Sequence, residues 1–129
     1  MLNLAFDRKN RILRVTVSGI FASEDLDALD HAVLEFVGRE GQVRSIYDFT
    51  GVEAFAVPQS RMLLRAQQPA IVSEQRVLVA PPVVGVEASQ AFSRHQREVG
   101  QRELVIVADL EEAYTVLRLR NPQFEPVER

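Results

Sequence analysis

Residues 45–52 run Ser45-Ile46-Tyr47-Asp48-Phe49-Thr50-Gly51-Val52. A β-prone run ends in a carboxylate, and a glycine-containing turn follows it. The spacing predicts a strand over residues 43–48, with Thr50-Gly51 as the turn. Pro58 can then open a helix, because proline tolerates the first helical turn. Met62, Leu63 and Ala66 would form that helix's buried side, and Pro69 stops it.

Before this stretch, Leu2, Leu4 and Phe6 alternate with polar or small residues, and so do Leu13, Val15 and Val17. Period two over two short runs joined by Asp7-Arg8-Lys9-Asn10 predicts an antiparallel hairpin, which Gly19 is expected to end. Ser23 is a helix N-cap candidate, and Glu24 and Asp25 suit the positive end of the helix dipole. Leu26, Leu29, Val33, Phe36 and Val37 share one helical face, and Gly38 or Gly41 would close the helix.

After it, residues 77–80 form a continuous β-prone run, the mark of a strand covered on both faces. Pro81, Pro82 and Gly85 make a loop. Ala88, Ala91, Phe92, His95 and Val99 then share a helical face that Gly100 closes. Residues 104–108 are a second buried strand. Asp109 with Glu112 forms a variant capping box for a last helix lined by Leu110, Ala113, Tyr114 and Leu117. Pro122 and Pro126 argue against further helix, so residues 121–129 read as a tail on a single domain, 1–120. The order is β-β-α-β-α-β-α-β-α. It predicts an α/β fold with a mixed, mostly parallel five-stranded sheet and an N-terminal antiparallel hairpin.

The composition sets bounds. The 129 residues are 47% hydrophobic and 26% charged, which suits one globular core. A net charge of −3 gives no basic field to attract nucleic acid. There is no cysteine, so disulfides, thiolate metal sites and cysteine catalysis are excluded. The N-terminus lacks a signal-peptide pattern, since Asp7, Arg8, Lys9 and Arg11 interrupt it early. The longest apolar run, residues 77–86, is too short to span a bilayer and contains Pro81 and Pro82. These features lead to the expectation of a cytoplasmic, soluble protein.

The element order resembles the anti-sigma-factor-antagonist (STAS) fold, especially its small bacterial STAS-like branch, related in shape to CRAL-TRIO lipid-binding domains. The resemblance rests on Val17-Ser18-Gly19 before an acidic helix, on residues 47–52, on residues 77–80 and on residues 105–113. It implies a regulatory protein-interaction module. True antagonists carry an Asp-Ser pair after the turn, at the start of the second helix. Counting on from Asp48, those places fall at about Ala56 and Val57, neither of which can accept a phosphoryl group. Ser60 is the nearest hydroxyl, and a helix-start serine is usually a cap.

Catalytic constellations are sparse. His31 and His95 belong to no metal motif, and neither a GxSxG nor a phosphate-binding glycine loop occurs. His95 reads as a packed side chain, with a general base as the alternative. Asp48 reads as a turn-former, although strand ends in α/β folds also carry catalytic carboxylates. Glu24, Asp25, Asp27 and Asp30 read as dipole partners on a solvated face, Arg61 and Arg65 as another solvated face, and His31 as a weak partner of Asp27.

The apolar loops at the strands' carboxyl ends are the distinctive feature. They carry Ile20 and Phe21, then Phe49, Phe55 and Val57, then Val83 and Val84. Three readings stand. The rim folds inward and caps the core, it meets a protein partner or a second copy of the chain, or it admits an apolar small molecule or lipid. The candidate binding residues are therefore Phe21, Asp48, Phe49, Phe55, Val57, Val83 and Val84. Neither a cofactor nor a metal is expected.

Overall fold

The structure, a computed structural model, describes residues 1–98 and 104–127, without the side chains of Val86, Glu87, His95, Arg97 and Glu98. In chain order the elements are β1 (Leu2–Asp7), β2 (Ile12–Phe21), α1 (Ser23–Glu40), β3 (Arg44–Phe55), α2 (Gln59–Gln67), β4 (Arg76–Val79), α3 (Gly85–Glu98), β5 (Leu104–Val107), α4 (Leu110–Val116) and β6 (Glu125–Pro126). They form one sheet in the order β5-β4-β3-β2-β1-β6. β2 to β5 run parallel, and β1 is antiparallel to both neighbours. The α/β class, the hairpin and the mostly parallel sheet agree with the sequence reading.

The strand count is six rather than five, because part of the tail completes the edge. Pro126 stands opposite Ala5, and Val127 N donates to Leu4 O at 2.9 Å. A proline is tolerated there because an edge strand loses little by lacking a donor.

β2 and β3 also run further than expected. Gly19 does not end β2, and Thr50-Gly51 is not a turn. Both glycines instead serve register shifts, where the pairing passes from Thr16↔Asp48 to Ser18↔Gly51 and from Gly19↔Val52 to Ile20↔Ala54. Gly19 has φ 81°, which favours glycine. A Cβ on Gly51 would stand 3.1 Å from Ser18 Cβ. Glycine reads as a breaker in one strand's sequence, but a continuing neighbour turns the break into a bulge. The extended arm ends with Phe21 beside Phe55, their ring centroids 5.6 Å apart.

Strand alternation divides the core. On one face Leu4, Phe6, Leu13, Val15, Val17, Phe49 and Val52 pack with Leu26, Leu29, Ala32, Val33 and Phe36 of α1. On the other, Ile12, Ile46, Val77, Val79 and Val107 pack with Ala113 and Leu117 of α4. α1 starts at Ser23, but the cap differs from expectation. Ala22 is the N-cap, and Asp25 Oδ2 accepts from Ala22 N at 2.8 Å. The capping box of α4 is as read, with Asp109 Oδ1 accepting from Glu112 N at 2.8 Å, while Glu112 Oε2 reaches one residue further back, to Ala108 N at 3.0 Å. Among the described residues, no helix is long and apolar enough to cross a membrane.

Candidate functional site

A cavity of about 440 Å³ lies on the α1 face, between the sheet and α2 and α3. Its sheet side is set by register. Tyr47 stands opposite Leu78, and Arg76 opposite Leu104. Period two sends all four toward this face, together with Phe49. Leu26 and Leu29 of α1, Met62 and Leu63 of α2, and Ala88, Ala91 and Phe92 of α3 form the remaining sides, with Phe21, Phe55 and Val57 at the aromatic end. Volume and lining are typical of small-molecule sites, which are mostly apolar with a few placed polar groups.

Those polar groups are Asp30, Tyr47, Gln59, Arg65, Arg76, Ser89 and Gln96. Arg65 clamps Asp30 bidentately, Nε to Oδ2 at 2.8 Å and Nη2 to Oδ1 at 3.2 Å. The pair ties α2 to α1, and Arg61 with Asp27 makes a second, more exposed tie. Arg76 is only 6% exposed, and its Nη1 donates to Gln96 Oε1 at 3.2 Å. Arg76 is in register with Ser45, so Tyr47 is its diagonal neighbour, within reach of a long side chain. Burial pushes the Tyr47 phenol above its ordinary range. Ser45, Arg76 and Arg65 oppose that rise, and the Asp30 charge adds to it. Tyr47 is therefore a neutral hydroxyl near pH 7.

The apolar rim divides. Phe21, Phe49, Phe55, Val57 and Val84 all line the cavity. Val83 does not; it is 51% exposed, and Ile20 is 65% exposed. Asp48 points to the opposite face and serves its own strand, Oδ1 accepting from Thr50 N at 3.0 Å and from Thr50 Oγ1 at 2.7 Å. The side chain of His95, Val99 and Gly100 lie outside the described residues. His31 approaches Glu35 at 3.9 Å rather than Asp27, which Arg61 occupies. Arg61 and Arg65 are thus not a bare solvated face. Among the described residues, no group of three His, Asp or Glu side chains could hold a metal ion.

Sequence reasoning missed the polar end. Tyr47 occupies an inward position of the strand read over residues 43–48, Arg76 lies one residue before the strand read over residues 77–80, and Gln96 follows His95 of the predicted helical face. A polar residue in phase with an inward strand position was the available signal.

The solved structure of the anti-sigma factor antagonist SpoIIAA in its unphosphorylated form superposes with a TM-score of 0.56 and 16% identity, covering 92% of this chain and 98% of that one. This chain has the STAS-like fold. No family model matches the sequence, and no curated protein matches it. In this STAS-like frame the cavity sits where β3, β4 and β5 meet the two helices that follow β3 and β4.

Proposed function

We propose that this STAS-like domain is a non-catalytic binding module whose cavity takes an apolar small molecule. The observation that carries the reading is the cavity of about 440 Å³ with Phe21, Phe49, Phe55, Val57, Leu78 and Phe92 around it. Burying such a surface gains about 25 cal/mol per Å² of apolar area. Catalysis finds no support in the same site. The strand-end carboxylate, Asp48, is turned away and engaged by Thr50. A phospho-switch of the antagonist type is also disfavoured, because Ala56 and Val57 stand near the expected acceptor and Ser60 is an exposed residue of the first turn of α2. A cysteine-free chain suits action in the cytoplasm.

A neutral environment-sensitive fluorophore, N-phenyl-1-naphthylamine, tests the reading. Wild-type protein is expected to bind it with a blue-shifted emission. Met62→Trp, which fills the cavity from α2, should weaken that binding about tenfold or more. Absence of binding by folded wild-type protein, or unchanged binding by the folded variant, would count against a ligand cavity.

A second reading is a regulatory protein contact, favoured by Ile20, Leu64 and Val83 standing exposed. Sedimentation across a dilution series tests the self-associating form. A concentration-independent monomer rules out a homodimer.

A further inference from the structure

We propose that α2 is a gate over the cavity, latched to α1 by the Arg61–Asp27 and Arg65–Asp30 pairs, and that ligand passes between α2 and α3. This deepens the cavity reading and rests on it. Exposure locates the passage. Among the described residues that line the cavity, Gln59, Leu63, Ala88 and Ala91 are exposed, and the rest are buried or half-buried. The first two belong to α2 and the last two to α3. The cavity therefore meets water along the seam between these helices.

Of the two, α2 is lightly anchored. Ala66 is its single buried residue, whereas α1 buries Leu26, Leu29, Ala32, Val33 and Phe36. Elements with little buried apolar contact open at low free energy. The chain on either side of α2 is nevertheless fixed. Ahead of it, Ala56 N donates to Phe21 O at 2.8 Å, and Val57 is buried. Behind it, Gln42 Nε2 donates to Ile71 O at 3.0 Å, and Ser73 N donates to Gln42 Oε1 at 2.9 Å. A lightly packed helix between two anchored segments has the build of a hinged lid. The latch is on the α1 side, where Arg61 and Arg65, one turn apart on α2, reach Asp27 and Asp30. Neither Arg61 nor Asp27 lines the cavity, so this pair holds α2 down without touching what binds.

Stopped-flow fluorescence with N-phenyl-1-naphthylamine tests the gate. Asp27→Asn removes the outer latch and should raise the association and dissociation rate constants about threefold each, the effect of one exposed ion pair, with Kd unchanged. Arg61→Gln removes the same pair from the other side and should reproduce the change. Salt screens exposed pairs, and the fluorophore is neutral. Raising the salt from about 0.02 to about 0.5 M should therefore speed exchange in the wild-type protein, and by less in Asp27→Asn. Rate constants unmoved in both folded variants overturn the gate and leave the cavity standing, even where the melting temperature falls. A faster dissociation alone, with Kd weakened to match, also overturns it, because that marks a lost contact with the fluorophore. A fluorophore that does not bind at all overturns both the gate and the cavity reading.

Discussion

The two faces of the sheet are built differently. On the α4 face, short β-branched and aliphatic side chains from β2, β3, β4 and β5 meet a helix of only seven residues, and Ile12, Ile46, Val77 and Val79 are fully enclosed. The tail straps this side. Arg14 lies 4.4 Å from the centroid of Phe124, which stacks on Tyr114, and Arg44 Nη1 donates to Leu117 O at 2.9 Å. On the α1 face, three helices and large aromatic side chains leave about 440 Å³ unfilled. Protein interiors are normally close-packed, so the α1 face is the less tightly filled of the two.

Truncations give the largest contrast. Ile46→Ala on the α4 face should cost about 2–5 kcal/mol in urea unfolding, the range for an enclosed aliphatic side chain. Leu78→Ala, one register step away but facing the cavity, should cost about 1 kcal/mol, since its side chain is half-buried against existing space. Equal costs would mean that the α1 face is as solid as the other.

Next come the ties between α1 and α2 that frame the cavity. Asp30→Ala should cost about 1–2 kcal/mol, between the values for exposed and buried pairs, because the Arg65 side chain is 12% exposed and the Asp30 side chain 30%. A double-mutant cycle with Arg65→Ala isolates the coupling, and a coupling near zero would show that the helices are held by packing alone. Phe124→Ala should cost about 1 kcal/mol by removing the stacking on Tyr114 and the Arg14 contact. It should leave fluorophore binding unchanged, because Phe124 is on the far side of the sheet.

The smallest effect is a pH dependence at Asp7, on the α4 face. Burial pushes its carboxyl up, but hydrogen bonds from the Asn10 side chain and from the backbone of Asn10, Gln123 and Lys9 outweigh that and hold it below 3.8. A depressed folded-state pKa contributes stability above the unfolded value, and that stability is lost as pH falls below 3.8 through the folded value. Asp7→Asn should therefore flatten the loss of stability below that pH, as followed by thermal melts. An unchanged acid limb would remove Asp7 from the account.

The elements were legible where one periodicity held within one segment. Leu26, Leu29, Val33 and Phe36 are buried on α1 as spaced, and Asp109 with Glu112 starts α4. Misreadings fell where a neighbour strand intervened. Gly19 and Thr50-Gly51 look like stops, yet a parallel partner carries both strands onward through bulges. The pairing of Arg61 and Arg65 with Asp27 and Asp30 was invisible for the same reason, because each pair spans about thirty-five positions or nearly that, from α1 to α2.

From the residue order alone come the α/β class, the hairpin, the four helices and the apolar character of the rim. These depend on side-chain spacing within single elements, which local backbone geometry converts directly into faces. Tertiary structure alone decided that Phe21, Phe49, Phe55, Val57 and Val84 of the rim line a cavity while Ile20 and Val83 stand exposed, that Asp48 faces away, and that Tyr47, Arg65 and Arg76 line the same cavity. Volume and charge juxtaposition arise between elements distant in sequence, and register and packing fix them only when the chain closes.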